Sequence, residues 1–383
     1  MAAGIAVSCL IIVAAVGKLR LPSGFIKISI LLFLVAFVVH TTYYAMQGDS
    51  SLKHALSVML LTMVFFCAGL LSVKISGMHG SDLINVLYLL AMIIVFFGFT
   101  SLVFPASFLN YSKYAKSIFP FSEPSHYAIT VGGILLAAGF YLHFLIRGGL
   151  VLSVLFFALV YPSTLLLLLV FIMLFSYYVR SFVSLGIIVF FMVVLGYLIL
   201  YYGFDVSYYE DRLSFDESTS NLTALVYMQG WESAYRALLH TNWIGLGFQN
   251  MGSLDPGVYG ERIFQIVGIY KNREDGGFLA AKIIGEFGVF GLAFLLFYVI
   301  ALCSSILYNR NFLKAYQEDR NKALELFPVS SVLGCSLIVA FSIEVFARGY
   351  GYFSPGILLA MVSIFLVTKK RKSHSCRYGS DYA

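Results

Sequence analysis

The chain has 383 residues, 60% of them hydrophobic and only 11% charged, with a mean hydropathy of +0.89. Soluble domains carry about 25% charged residues, so composition excludes an ordinary soluble enzyme and points to the membrane. The net charge of +6 is no nucleic-acid signal, because the basic residues do not gather on one polar domain but flank apolar runs, where they report topology.

A spanning helix needs about 20 apolar residues, within roughly 17–25. In chain order, the runs that approach this are Ala2–Val16, Phe25–Met46, Leu52–Val73, Leu83–Phe104, His126–Ile146, Leu150–Tyr161, Ser163–Val179, Phe182–Tyr202, Phe278–Leu307, Phe327–Val345 and Tyr352–Val367. Pro162 is the natural break between the sixth and seventh. The first run has no basic residue before it, and Lys18 and Arg20 follow it, the reverse of a signal peptide. The expectation is an all-α polytopic membrane protein with about 11 transmembrane helices, a single integral-membrane domain over 1–383.

With the tail Lys369-Lys370-Arg371-Lys372 placed in the cytoplasm, the short connections on that side hold 15 of the 25 basic residues, among them Arg147 and Arg310. The positive-inside rule then sends Pro105–Ser125, Phe346–Gly351 and the long segment Tyr201–Phe278 outward. That long segment carries ten of the 19 carboxylates, and its core, 203–277, is expected to be one large, partly helical outer loop. Asn221–His240 reads as an amphipathic helix with Ser220 or Asn221 as cap, lying at the membrane surface or over the bundle. The glycine-bearing turn Trp243–Phe248 follows it. Of the five cysteines none lies in this loop, so there is no disulfide framework and no zinc spacing.

Four groups can carry chemistry. Glu123 and His126 sit three residues apart at the outer end of the fifth run, where both can reach one substrate hydroxyl; a helix-start role explains Glu123 alone. Arg212 is otherwise a solvated loop charge. Glu344 and Arg348 are spaced as a helical ion pair, with Arg348 in Arg348-Gly349-Tyr350-Gly351-Tyr352, where glycines admit a ligand. Lys271–Gly277 precedes the ninth run, into which Lys282 and Glu286 continue as an internal pair. Gly285, Gly288 and Gly291 read as a close helix-packing surface. No Walker motif, HExxH, Gly-x-Ser-x-Gly, metal-ligand cluster or Asp-x-Asp is present in the sequence. No metal or other cofactor is called for. Several outer arginines can hold a lipid-borne diphosphate by bidentate hydrogen bonds.

Three stretches carry a resemblance: Phe121–Ala128, Arg348–Phe353, and the order Gly230-Trp231-Glu232, His240–Gly247, Asp275-Gly276-Gly277-Phe278 and Gly285–Gly291. In these, and in span count and the dominant outer loop, the chain resembles the Wzy-type O-antigen polymerases of Gram-negative bacteria, within the polymerase and O-antigen-ligase superfamily. The resemblance implies a glycosyltransferase of the inner membrane, its C-terminus cytoplasmic and its long loop periplasmic. Its donor and acceptor are undecaprenyl-diphosphate-linked oligosaccharides within the membrane lipid, and a polysaccharide chain-length regulator is an implied partner. The family's arginines map best onto Arg212 and Arg348, and less well onto Arg236, Arg262 and Arg273. In the mechanism expected from the residues themselves, Arg212 and Arg348 hold the departing diphosphate, Glu123 with His126 takes the acceptor proton and Asp275 is the reserve base. The ligases place a His just before the ninth run, where this chain has Glu274-Asp275. Ligase, capsule or exopolysaccharide polymerase, and lipid-linked oligosaccharide flippase are the alternatives.

Overall fold

The computed structural model describes residues 7–13, 51–104, 117–179 and 220–368, with Gly186 and Phe190. The helices are α1 (Ser51–Ser76), α2 (Gly80–Val103), α3 (Pro124–Tyr141), α4 (Phe144–Val160), α5 (Thr164–Tyr178), α6 (Leu222–His240), α7 (Val258–Val267), α8 (Leu279–Glu318), α9 (Arg320–Leu326), α10 (Val329–Phe346) and α11 (Pro355–Thr368). Two compact units are formed, one from Met1–Met78, Phe215–Ala301 and Glu344–Ala383, the other from His79–Ser214 and Leu302–Ile343.

The expectation of eleven spans is corrected. Among the described residues four helical segments are long and apolar enough to cross a membrane: His54–Ser76, Gly80–Val103, Leu279–Glu318 and Val329–Phe346. The expected spans Phe25–Met46 and Phe182–Tyr202 lie outside the described residues, or nearly so in the second case, and Ala2–Val16 does in part. The other losses have physical causes. The fifth run breaks at Leu142, so that α3 is an 18-residue helix whose first turn is polar and 14 of whose residues are buried. It is a core helix of a helical unit. At 1.5 Å per residue, α4 and α5 reach about 25 and 22 Å, short of a hydrocarbon core of about 30 Å. Helix α11, with 14 residues, is shorter still. Agreement in span count therefore lends the resemblance no support, and an eleven-pass, Wzy-like architecture is not what the described residues have.

In the second unit, α3 is the centre. Tyr177 of α5 donates its hydroxyl to the Leu136 carbonyl at 2.7 Å, an approach that Gly139 permits because a side chain there would strike the phenol. Gly133 lets Leu337 of α10 close to the backbone in the same way. Arg147, expected in a cytoplasmic loop, is 3% exposed. Its guanidinium donates to the carbonyls of Gly139 (2.7 Å), Phe140 (3.3 Å) and Leu142 (2.9 Å), the open C-terminal end of α3, where a cation is favoured. Arg310, likewise expected in a loop, is on α8, packed 4.6 Å from the Phe175 ring. The break at Pro162 is observed: α4 stops at Val160, and Ser163 caps α5 by accepting from Leu166 N.

In the first unit α1 packs on α11, with Phe65 and Phe365 in ring contact, and α6 packs on α7. Asn221 caps α6, accepting from Thr223 N at 2.9 Å and Ala224 N at 3.3 Å.

Candidate functional site

The site is built where α8 begins. At Gly288 the helix is broken (φ 57°, ψ −129°), a backbone state that glycine alone adopts without strain. A break inside an apolar helix frees carbonyls and amides that must find partners. The turn Trp243–Gly247 supplies them. Leu246 N donates to Gly285 O (2.9 Å), Gly247 N to Glu286 O (2.8 Å), and Val289 N to Trp243 O (2.8 Å). Trp243, Gly245 and Gly247 of that turn, and Asn242 just before it, all have positive φ. Of the glycines read as a helix-packing surface, Gly285 and Gly288 are thus the socket of a turn, while Gly291 lies against Ile283.

The charged turn ahead of the break is buried. Lys282 is 1% exposed and Glu286 fully buried, 3.3 Å apart, as the four-residue spacing predicts. Glu286 Oε1 also accepts from Met251 N at 3.2 Å, and Lys282 donates to the Glu274 carbonyl. The ammonium lies 5.4 Å from the Tyr352 ring centre and 4.0 Å from Asp275 Oδ1. Asp275 is the member that reaches out, its side chain 54% exposed. The Tyr352 hydroxyl faces the Glu286 carboxylate inside this cluster, beneath the exposed carboxylate of Asp275.

The Arg348–Tyr352 loop closes over this cluster. Gly349 N donates to Gly277 O at 3.0 Å. A Cβ at Gly349 would meet Leu279 N at 2.9 Å, and one at Gly351 would meet Asp275 Oδ1 at 2.9 Å. Here glycines admit another backbone and a carboxylate rather than a ligand. Arg348 is half-buried, its guanidinium 5.5 Å from the Tyr350 ring. Glu344 is fully buried. Beside the loop, Phe278 stacks on Tyr227 at 4.7 Å and meets Trp231 at 5.0 Å, which fastens α6 to the 276–278 turn.

The weaker arginines have structural work. Arg273 donates to the Leu254 carbonyl and covers the Tyr270 ring at 5.5 Å. Arg236 donates to Asp255 O at 2.7 Å, and exposed Arg262 to Gln265 Oε1 at 3.4 Å. Arg236 and Arg262 line an open cleft of about 890 Å³ with Glu232, Glu261 and Gln265. Glu232 accepts from Val258 N (2.8 Å) and Tyr259 N (3.1 Å), closing the N-terminus of α7 from a neighbouring helix. The Tyr270 hydroxyl donates to Glu261 at 3.0 Å; that bond, more than burial, raises the phenol above its ordinary pKa.

Glu123 and His126 belong to the other unit. Pro124 opens α3 with Glu123 at the N-cap position. Glu123 Oε2 accepts from Ser125 Oγ at 3.0 Å, and His126 Nδ1 lies 3.4 Å from Ser122 Oγ. Arg212 lies outside the described residues. Asp275 and the Arg348 loop are thus brought together in the first unit, whereas Glu123 and His126, each bonded to a neighbouring serine, belong to the second.

Sequence reading passed over His54, buried in α1, whose Nε2 is 2.9 Å from Asn250 Oδ1 in the loop after α6. A lone histidine in an apolar run gives no sign of a partner 196 residues away. It also passed over Tyr352 as a wall of the charge cluster. Among the described residues no three His, Cys, Asp or Glu side chains are grouped to hold a metal. The chain matches no family model, no curated protein and no solved structure.

Proposed function

We propose that this chain joins undecaprenyl-diphosphate-linked oligosaccharide repeat units into polysaccharide, the reaction of an O-antigen polymerase, on the periplasmic face of the bacterial inner membrane with the C-terminus in the cytoplasm. What carries the reading is the junction of two stretches that also carry the resemblance. Asp275 stands exposed over the buried Lys282–Glu286 pair, and the Arg348 loop is bonded to the same turn through Gly349 and Gly277. The long apolar helices fit a lipid-borne substrate.

In this reading Asp275 takes the proton of the acceptor hydroxyl as its oxygen attacks the anomeric carbon of the donor. The bond from that carbon to the diphosphate breaks, and Arg348 holds the departing diphosphate by its planar fork. The exposed carboxylate and the arginine-bearing loop lie in one unit, which promotes Asp275 over its reserve role. Glu123 with His126 is the competing base, and Arg212 a second diphosphate ligand. The partners are the two lipid-linked oligosaccharides and a chain-length regulator.

Deleting the gene in its host and resolving the lipopolysaccharide on a gel tests the reaction. Core capped with one repeat unit is expected. Bare core would assign the chain to ligation or flipping instead, and an unchanged ladder would assign it to another polymer. Restoring the gene with Arg348→Lys should leave most chains short, because Lys keeps the charge but not the fork; full-length polymer at normal protein level overturns the clamp.

A further inference from the structure

Helix α6 shows three different faces along its last three turns. Gly230, Ala234, Ala237 and Leu238 are buried, Gly230 against the Gly276 carbonyl and Phe278. Glu232 and Arg236 turn toward α7 and the 255–259 segment, where both are hydrogen-bonded. Between them Trp231, Tyr235 and Leu239 recur every fourth residue, on one face, and are 41%, 63% and 55% exposed. Beyond the helix end, Trp243 and Ile244 extend the exposed apolar surface, at 53% and 52%. A contiguous apolar face of this kind is rarely left to water.

Its neighbour tells what covers it. Trp243 O accepts from Val289 N, the first residue after the α8 break. Val289 and Phe290 are themselves exposed, and the outward apolar surface continues along α8 through Phe294 and Phe297. Helix α8 is one of the helices long and apolar enough to span a bilayer. The stripe is therefore continuous with a lipid-facing surface. Its composition also changes along the way: Phe, Leu and Val on the span, Trp and Tyr on α6. Indole and phenol combine an apolar ring with one polar atom, which is the chemistry of the headgroup boundary.

We propose that Trp231, Tyr235, Leu239, Trp243 and Ile244 lie in the headgroup layer of the bilayer, so that α6 is an in-plane interfacial anchor. This placement needs only the membrane, and stands whether or not the chain transfers sugars. The chain's two tryptophans, Trp231 and Trp243, are both on this face, so its indole fluorescence is a built-in depth gauge. The full chain in phosphatidylcholine vesicles should lose more than half its emission when bromine atoms sit on the acyl chains near the headgroup. It should lose less when they sit near the chain ends, and little to aqueous acrylamide. Trp231→Phe and Trp243→Phe, each leaving one reporter, should both repeat the pattern.

Strong acrylamide quenching without bromolipid quenching would overturn the proposal and put the face in water. Protection from both quenchers would overturn it in favour of a second copy or another protein as the cover. Stronger quenching from bromines at the chain ends would make α6 a buried rather than an interfacial helix. Bromolipid quenching of Trp243 alone would confine the anchor to the turn.

Discussion

Among the described residues the two units each bury one long cation, by different means. Arg147 is wrapped by three carbonyls at the end of α3 and by the Tyr177 ring at 5.4 Å. Every one of those contacts closes an open end of the fold. Lys282 is met by a carboxylate one turn away, by a carbonyl, by the face of Tyr352 and, at 4.0 Å, by a carboxylate that is itself half in solvent. Arginine's rigid fork suits the first job, because several carbonyls can be satisfied at once. Lysine's compact charge suits the second, where the need is to hold two carboxylates in register from below. A buried charge bonded to the carbonyls of a helix end is architecture; one paired through to an exposed acid can also serve chemistry.

That contrast can be broken. The largest effect expected is from Glu286→Gln, which leaves the buried Lys282 charge without its partner and should cost about 3–5 kcal/mol. Thermal unfolding of the purified protein measures it, and adding Lys282→Met should recover much of the loss. An unchanged Glu286→Gln melt would show that the pair does not support the fold. Next comes Arg147→Met. It strands buried carbonyls at about 1–3 kcal/mol each, part of which relaxation recovers, so a net loss of about 2–3 kcal/mol is expected, with activity per folded molecule unaltered. A selective loss of activity in Arg147→Met would erase the distinction drawn between the two cations.

Smaller effects sharpen it. Glu232→Ala removes the carboxylate that closes α7 and should lower stability by about 1 kcal/mol, with amide exchange rising first at Val258 and Tyr259. Asp275→Asn should change stability least, within about 0.5 kcal/mol, yet slow polymer formation about 100-fold, as expected for loss of a general base. If Asp275→Asn polymerises normally while Glu123→Gln does not, the base lies in the other unit.

Local features were legible in the sequence. The α6 helix with a cap at Ser220 or Asn221, the Pro162 break and the Lys282–Glu286 pair all follow from spacing and residue type over short stretches. What failed was non-local. Composition cannot separate a lipid-facing run from a core helix such as α3, because both are apolar all round. Arg147 stands between two apolar runs, and nothing nearby reveals that it folds back onto the carbonyls before it. Glu232 stood out only as one of the ten carboxylates of the long segment and as a member of a resemblance stretch, since the α7 amides it caps are 26 positions on. The Gly285–Gly291 series and the Trp243–Gly247 turn were each noticed, but not that one is the receptacle of the other. Of the candidate site, the Asp275 and Arg348 stretches were legible as separate motifs; their junction through Gly349 and Gly277 was not.

The break at Gly288 has a mechanical consequence. Lys282 and Glu286 ride on a short stub, Leu279–Phe287, clamped by the 243–251 loop, while the apolar length of α8 starts afresh at Val289. A continuous helix would transmit every tilt or slide imposed by bilayer thickness straight to the charged turn. The broken one interrupts that path at Gly288, with the 243–247 turn bonded to both sides, to Gly285 and Glu286 on the stub and to Val289 on the span. Turnover by the native chain is expected to stay level across vesicles of increasing acyl length, and Gly288→Ala, whose Cβ would strike Trp243 O, is expected to make it depend on that length. Native turnover that already varies with thickness would show that the break at Gly288 does not absorb it.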